Sequence, residues 1–206
     1  MNTTGTGTEA AATDTATTGD VTSGTTASGT TTGRTTSGEA LTYWTGTDSP
    51  VGRLLLTADP DGAITSLSVP GQKGGRDVGD GWLRDTGPFR EAEAQLAAYF
   101  AGELTEFRLP LRARGTAFRE RVWEALDAVP YGETTTYGAI AARIGASRAA
   151  VRAVGGAIGA NPLLILRPCH RVIGADGSMT GYAGGLERKT RLLALEGAGP
   201  DGPRVG

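Results

Sequence analysis

Short apolar runs separated by turn-forming residues dominate residues 41–110. Three of these runs are predicted to be β-strands: residues 41–44, 52–58 and 63–69. Asp59-Pro60-Asp61-Gly62 is a typical turn between the second and third strands, and the Gly- and Asp-rich residues 70–87 predict a loop. Apolar residues then recur at helical spacing from Phe89 to Phe100, with Gly102 as the stop. The pattern predicts an antiparallel meander followed by one helix.

Residues 111–197 have apolar residues mainly at helical spacing. Thr116 is a typical N-cap for a first helix, which Pro130-Tyr131-Gly132 would end. The inward residues of this helix are predicted to be Phe118, Val122, Leu126 and Val129. A second helix is predicted from Thr136 to Ile144, and Gly145 is its expected stop.

A third helix is predicted to begin at Ser147. Its buried face should comprise Ala150, Val151, Val154, Ala157 and Ile158. Two short helices joined by a tight turn form a helix-turn-helix, whose second helix normally contacts DNA. A last helix is predicted over residues 186–195. Its inward residues should be Leu186, Leu192 and Leu193.

We therefore predict an α+β fold. A small antiparallel sheet-plus-helix domain (41–110) precedes a mainly helical, winged-helix-like domain (111–197). Residues 1–40 are chiefly Thr, Gly, Ala and Ser, and such a segment cannot bury enough surface to offset its ordering entropy. We predict a disordered tail there, with the role of a solvated spacer, and a flexible tail over residues 198–206.

The chain has no apolar run of the roughly 18 residues that a membrane span requires, and its N-terminus does not resemble a signal peptide. A single cysteine excludes an internal disulfide and suits a reducing compartment. We expect a soluble, cytoplasmic monomer. Residues 41–110 have neither Cys nor His, and we expect no metal there.

Charge is distributed unevenly between the two predicted domains. Residues 111–197 contain 12 basic and 7 acidic residues, whereas residues 41–110 contain 6 and 10. A basic domain in an otherwise acidic protein indicates a polyanion on one face. An ordinary solvated arginine surface is the alternative interpretation.

The only cysteine, Cys169, directly precedes the only histidine, His170. A thiolate is a strong nucleophile, and imidazole is a ready base near neutral pH. Pro168 is predicted to end a strand over residues 163–166 and to place Cys169 at a turn. Because adjacent strand residues point to opposite faces, either the bend after Pro168 brings thiol and imidazole together or a water bridges them. A buried, inert cysteine is the alternative.

The third predicted helix places Arg148, Arg152, Gly155 and Gly159 on one exposed stripe. Each glycine inside a helix costs about 1 kcal/mol, so this side gives up stability for a flat, basic surface that can approach a groove. Helix packing through the glycines is the alternative.

Glu196 lies at the end of the last predicted helix, where a carboxylate is disfavoured without a positive partner. His170 is a suitable partner, which would give a Cys169–His170–Glu196 relay. Exposure of Glu196 at a frayed helix end is the alternative.

The segment Pro168-Cys169-His170-Arg171-Val172 is similar to the active-site signature of the O6-alkylguanine-DNA alkyltransferases, also called methylated-DNA-protein-cysteine methyltransferases. The resemblance extends from about Gly115 to Gly197. Its further blocks are residues 131–138, 152–156, 161–162, 180–185 and 192–197.

The resemblance implies a role for each matching residue. Cys169 would be the alkyl acceptor in the relay with His170 and Glu196, in which a water links thiol and imidazole. Asn161 would fix this network, and Tyr137 would help to rotate the nucleotide out of the helix and donate a proton to the departing guanine. The expected DNA-binding residues are Ser147, Arg148, Arg152, Gly155 and Tyr137, with Arg152 filling the space of the extruded nucleotide. The expected substrate-pocket residues are Pro168, Tyr182, Ala183 and Gly184.

The implied function is direct reversal of DNA damage. The protein would flip O6-alkylguanine, and O4-methylthymine as well, out of duplex DNA and transfer the alkyl group once to Cys169, without a cofactor. Arg167 replaces an apolar residue usual in the family, so it either wets the pocket or lowers the thiol pKa. Leu164 stands where some relatives have proline. The rival functions are a non-enzymatic alkyl-lesion binder, a transcription regulator and a cysteine hydrolase.

Overall fold

The structure is a computed structural model that describes residues 41–199. The predicted tail over residues 1–40 lies outside the described residues, as does most of the second predicted tail. Among residues 41–199, no helix is both long enough and apolar enough to cross a bilayer.

Four strands form the N-terminal sheet in the order β3-β2-β1-β4. They are β1 (Tyr43–Thr47), β2 (Leu54–Ala58), β3 (Ile64–Ser68) and β4 (Leu83–Arg84). The first three form the predicted antiparallel meander, although β1 begins two residues later than predicted and continues to Thr47. Leu54, Leu56 and Leu67 are fully buried in the core.

Strand β4 corrects the prediction that residues 70–87 are all loop. Leu83 and Arg84 pair in parallel with Tyr43 and Trp44. Both residues of β4 are exposed, so no apolar pattern marks the strand. Backbone hydrogen bonds alone define it, including one in which the amide of Leu83 donates to the carbonyl of Thr42.

Helix α1 (Arg90–Phe100) buries Ala92, Leu96 and Tyr99, as the spacing predicts. It follows a 3₁₀ turn over Gly87–Phe89. Gly102 has φ +75°, a conformation that favours glycine, which confirms it as the C-terminal stop.

Residues 111–199 of the C-terminal half contain four α-helices and a two-stranded parallel sheet. The helices are α2 (Ala117–Asp127), α3 (Tyr137–Arg143), α4 (Val151–Gly159) and α5 (Leu186–Leu195), and the strands are β5 (Thr135–Thr136) and β6 (Val172–Ile173). Helix α2 packs against α3 and α4, and the indole of Trp123 donates to the carbonyl of Ala157 at 2.8 Å. Together with the sheet, this arrangement confirms the predicted α+β class.

Two predictions about helix faces are wrong in part. Ala150 and Val151 are only partly buried, because residues 148–150 form a 3₁₀ turn and α4 begins at Val151 rather than at Ser147. Leu186 is 49% exposed, because it opens α5 beyond the core and the buried residue of that turn is Lys189.

The predicted N-cap of α2 offers a test of local stability. The hydroxyl of Thr116 accepts a hydrogen bond from the amide of Arg119 at 3.3 Å. We expect Thr116→Ala to lower the free energy of unfolding by about 1 kcal/mol, because the amide loses this acceptor. Thr105→Ala is the matched control at an exposed threonine and should stay within about 0.5 kcal/mol of the wild type in urea denaturation. Equal effects of the two changes would show that the cap contributes nothing.

Candidate active site

Asn161 builds the turn that leads to Cys169. Its side-chain nitrogen donates to the carbonyls of Leu163 and Arg167, and its side-chain oxygen accepts from the amide of Leu163. The predicted strand over residues 163–166 is therefore wrong: the segment is a buried turn with a single bridge from Leu163 to Leu67. Ile165 has φ +70°, which a strand does not permit.

Cys169 opens a 3₁₀ turn over Cys169–Arg171 and is only 3% exposed. The side-chain nitrogen of Asn161 lies 3.2 Å from Sγ. Burial raises the pKa of the thiol to about 11, although the Asn161 hydrogen bond and the charges of Lys189 and Arg167 oppose this shift. The resting group is therefore a neutral thiol at pH 7, and transfer chemistry would require a base.

His170 lies next to Cys169 and is completely buried. Its Nε2 is 2.8 Å from Oε1 of Glu196. Since a carboxylate accepts hydrogen bonds, this contact assigns the proton of the neutral ring to Nε2 and leaves the Nδ1 lone pair free to accept. Within residues 41–199, Nδ1 has no hydrogen-bond partner.

Burial is the main cause that lowers the His170 pKa, and the charges of Arg171 and Lys189 lower it further. The hydrogen bond and the charge of Glu196 raise the pKa but do not outweigh burial. Burial dominates because Arg171 already neutralises Glu196. The imidazole is therefore neutral at pH 7. No hydrogen bond joins it directly to the Cys169 side chain in the described part of the chain, so the bend after Pro168 does not by itself connect the two.

Glu196 is the buried carboxylate that the other polar groups surround. It accepts two hydrogen bonds from the guanidinium of Arg171, at 2.8 and 2.9 Å, and one from the hydroxyl of Tyr99 at 2.7 Å. Burial alone would raise its pKa, but the hydrogen bonds from His170 and Arg171 and the charge of Arg171 outweigh burial and lower it to about 2. The alternative of an exposed, frayed Glu196 is wrong, since only 5% of the residue is exposed.

Sequence reasoning missed both Arg171 and Tyr99 as partners of Glu196. Arg171 follows His170 directly, so its type and position were a usable signal. Tyr99 lies 97 residues before Glu196 and is on the face of α1 that the spacing already explained as core. No local pattern distinguishes such a tyrosine from an ordinary core residue.

Tyr137 and Lys189 both hold the loop that precedes α5. The Tyr137 hydroxyl donates to the carbonyls of Thr180 and Gly181, at 3.0 and 3.2 Å. The fully buried Lys189 donates to the carbonyls of Val172 and, at 2.7 Å, Thr180. Burial lowers the Lys189 pKa to about 8. These contacts tie the loop to the turn that contains Cys169.

Three of the four predicted pocket residues share this loop. The ring of Tyr182 meets that of His170 edge-on, with centroids 6.5 Å apart. Gly184 is buried, and a Cβ there would lie 2.8 Å from the Tyr182 ring, so this close packing requires glycine. Ala183 lies between them and is partly buried.

The fourth predicted pocket residue, Pro168, lies elsewhere. It lines a cleft of about 690 Å³ together with Tyr131 and Arg171, whereas the residues from Tyr182 to Gly184 do not line that cleft.

The predicted DNA-binding residues lie at and around the start of α4. Ser147, Arg148 and Arg152 are exposed, whereas Gly155 is partly buried near the ring of Tyr137. A Cβ on Gly156 or Gly159 would meet nothing within 4 Å. Packing within residues 41–199 therefore does not explain these two glycines.

Arg167 pairs with Asp127, with the guanidinium Nε 2.8 Å from the carboxylate, and lies over the ring of Trp123. Of the two alternatives for this residue, the charge effect is present: Arg167 lowers the pKa of the Cys169 thiol. It is the last and smallest of the contributions and does not overcome burial.

Comparison with known proteins identifies the family. Residues 42–113 match the family model of the ribonuclease-like domain of 6-O-methylguanine DNA methyltransferase, and residues 117–198 match that of its DNA-binding domain. The chain belongs to this family. A methylated-DNA–protein-cysteine methyltransferase of Mycolicibacterium paratuberculosis is 54% identical over 149 residues, which cover 72% of this chain and 88% of the relative.

Other relatives agree with this assignment. A methylated-DNA–protein-cysteine methyltransferase of Methanosarcina acetivorans is 49% identical, over 76% of this chain and 99% of the relative. Among solved structures, that of Mycobacterium tuberculosis OGT in complex with DNA has a TM-score of 0.70 and 51% identity, over 75% of this chain and 92% of that one.

The buried pair of Glu196 and Arg171 predicts a specific dependence of stability on pH. Glu196→Gln should lower the free energy of unfolding at pH 7 by roughly 3 kcal/mol, because Arg171 would remain buried without a counter-charge. Glu106→Gln is the control at the exposed ion pair with Arg108 and should cost less than about 1 kcal/mol.

The folded-state pKa of Glu196 is depressed, so its stabilising contribution is present above pH 4.5, the ordinary value, and is lost as the pH falls towards about 2. In urea denaturation across this range, the difference in free energy of unfolding between wild type and Glu196→Gln should decrease as the pH falls. If this difference in free energy stays constant down to pH 2, the carboxylate of Glu196 is not the ionised group that stabilises the fold.

Proposed function

We propose that this protein repairs duplex DNA by transferring the alkyl group of O6-alkylguanine to Cys169 in a single displacement. The main support for the proposal is that the buried Cys169 thiol lies beside the neutral His170. The ring of His170 is hydrogen-bonded to the buried carboxylate of Glu196. Family membership supports the reaction class, and the match to an OGT–DNA complex supports DNA as the partner.

In the proposed step, one sulfur–carbon bond forms and one carbon–oxygen bond breaks. The Cys169 thiol gives its proton to Nδ1 of His170 across one bridging water, as the resemblance implies, and Sγ forms a bond to the alkyl carbon. The bond from that carbon to O6 breaks, and the departing guanine takes a proton from the Tyr137 hydroxyl. The His170 imidazolium loses its proton to solvent and the tyrosinate takes one from solvent, which restores both neutral side chains. Glu196 stabilises the imidazolium that forms, in the manner of an orienting carboxylate.

The product is a thioether on Cys169. Neither water nor a thiol readily cleaves a thioether, and Cys169 is the only cysteine of the chain, so the free thiol would not be regenerated. The protein therefore acts once, needs no cofactor, and is consumed in proportion to the lesions that it repairs.

Access to the lesion requires that the nucleotide leave the base stack, which costs a few kcal/mol. We propose that α4 lies in the minor groove, that Arg152 fills the vacated space, and that Tyr137 helps to rotate the nucleotide. Tyr182, Ala183 and Gly184 then close over the base. The exposure of Arg152 supports its role, and Tyr137 contacts residues 180 and 181 of the loop that also contains Tyr182. We further propose action on O4-methylthymine and a monomeric, cytoplasmic protein.

The direct test mixes the protein with duplex DNA that contains one O6-methylguanine. Peptide mass spectrometry should show one methyl group on Cys169 per molecule, with guanine restored. Cys169→Ala should abolish transfer while duplex affinity changes less than about threefold, because the thiol is buried away from the exposed face of α4. Binding of the lesion by the wild type with Cys169 unmodified would establish a non-enzymatic lesion binder instead. An O4-methylthymine duplex tests the second substrate in the same assay.

Replacing a glycine of α4 by alanine should raise the free energy of unfolding but weaken the binding of duplex DNA. Gly156→Ala should raise the free energy of unfolding by about 0.5–1 kcal/mol, because alanine is the better helix former and its Cβ meets no neighbour. The same methyl group should weaken duplex binding, because it stands where the DNA backbone approaches. Ala153→Gly on the same helix is the control for helix propensity and should lower stability. Unchanged DNA affinity in Gly156→Ala would contradict the proposed approach of α4.

A further inference from the structure

A second basic surface adjoins the C-terminal end of α4. A cleft of about 610 Å³ is lined by Lys73, Arg76, Arg114 and Arg119, and we call it the basic cleft. Two of these cations come from the loop between β3 and β4, and the other two lie just before and within α2. The prediction for residues 70–87 gave this loop no function.

The four cations of the basic cleft lack counter-charges. No acidic residue lines the cleft within residues 41–199. In the same part of the chain, none of the four side chains has a hydrogen bond or ion pair. By contrast, Arg112 pairs with Asp59 and Asp61, and Arg167 pairs with Asp127. Four unpaired like charges repel one another, so this arrangement suits an anionic ligand.

The basic cleft is continuous with the surface proposed to contact DNA. Gly155, Gly156 and Gly159 of α4 form one of its walls, and a Cβ on either of the last two would meet nothing. Because an α-helix rises about 1.5 Å per residue, these glycines lie about 4.5–10.5 Å along the helix axis from Arg152, which corresponds to roughly one to three base-pair steps.

The loop of the basic cleft also contacts the substrate loop. The backbone amide of Lys73 donates to the carbonyl of Ala183 at 3.0 Å. Gly184 packs near Val69, at the end of the strand that leads into the same loop. An anion held in the cleft would therefore lie beside the segment proposed to close over the flipped base.

We propose that the basic cleft binds backbone phosphates of the DNA strand that flanks the damaged nucleotide. This inference rests on the proposed function, since it takes duplex DNA as the ligand. The N-terminal half thereby contributes directly to DNA affinity, and Lys73 and Arg76 act as phosphate contacts. Guanidinium and ammonium groups without a counter-ion are suited to bind phosphate oxygens. Their binding releases cations that are condensed on the DNA.

The test measures how affinity for an undamaged duplex depends on salt between about 50 and 200 mM. Each lost phosphate contact reduces the slope of log K against log salt by about 0.9. The variant Lys73→Gln/Arg76→Gln should therefore lower the slope by about 1.8 and the affinity at about 0.1 M salt by tenfold or more. Arg90→Gln/Arg108→Gln removes the same charge from exposed residues that do not line the cleft, and it should leave the slope unchanged.

A second assay separates failure of the basic cleft from failure of the proposed function. Methyl transfer from the free base O6-methylguanine requires no phosphate, so its rate should be the same in both variants and the wild type, which also verifies folding. If the cleft variant retains the wild-type slope and affinity, the inference is overturned. If the wild type itself binds no duplex and accepts no methyl group, the proposed function fails instead.

Discussion

The site depends on one constraint: the carboxylate of Glu196 is buried and must be paired. An unpaired buried charge costs several kcal/mol, so the chain surrounds this group with His170, Arg171 and Tyr99. The consequences extend across the fold. Tyr99 fixes α1 of the N-terminal half against the end of α5, and Arg171 fixes the turn that contains Cys169. Pairing a single anion thus connects the two halves of the molecule at the proposed reaction centre.

Burial disfavours the charged forms of the three ionisable groups of the proposed relay, Cys169, His170 and Glu196. It raises the pKa of the Cys169 thiol and lowers that of His170, so both are neutral at pH 7, whereas Arg171 and His170 keep Glu196 ionised. A neutral thiol is protected from unspecific alkylation and oxidation, because the thiolate is the reactive form. In the proposed mechanism, reactivity appears only when a bound substrate allows the proton to reach Nδ1 of His170.

Sequence patterns predicted the elements whose residues repeat with a fixed period. The meander, α1 and the cap of α2 follow directly from spacing and from Thr116. Strand β4 was missed because two exposed residues pair through backbone atoms alone. The turn after Asn161 was mistaken for a strand, because an amide side chain replaces the ladder hydrogen bonds and allows φ +70° at Ile165. The pairing of His170 with Glu196 was predicted correctly, but the resemblance to the alkyltransferase family decided it, because a carboxylate at a helix end can equally be exposed. Tyr99 was missed because a contact 97 residues distant leaves no local signal.

The most direct test of the relay is the rate constant for methyl transfer from O6-methylguanine duplex DNA as a function of pH. If neutral His170 activates the thiol, the rate should be constant from pH 9 to about 6.5 and should fall only as the imidazole becomes protonated, below its ordinary value of 6.5. A rate that instead rises tenfold per pH unit towards the thiol pKa of about 11 would show that Cys169 ionises without assistance, and would contradict the relay.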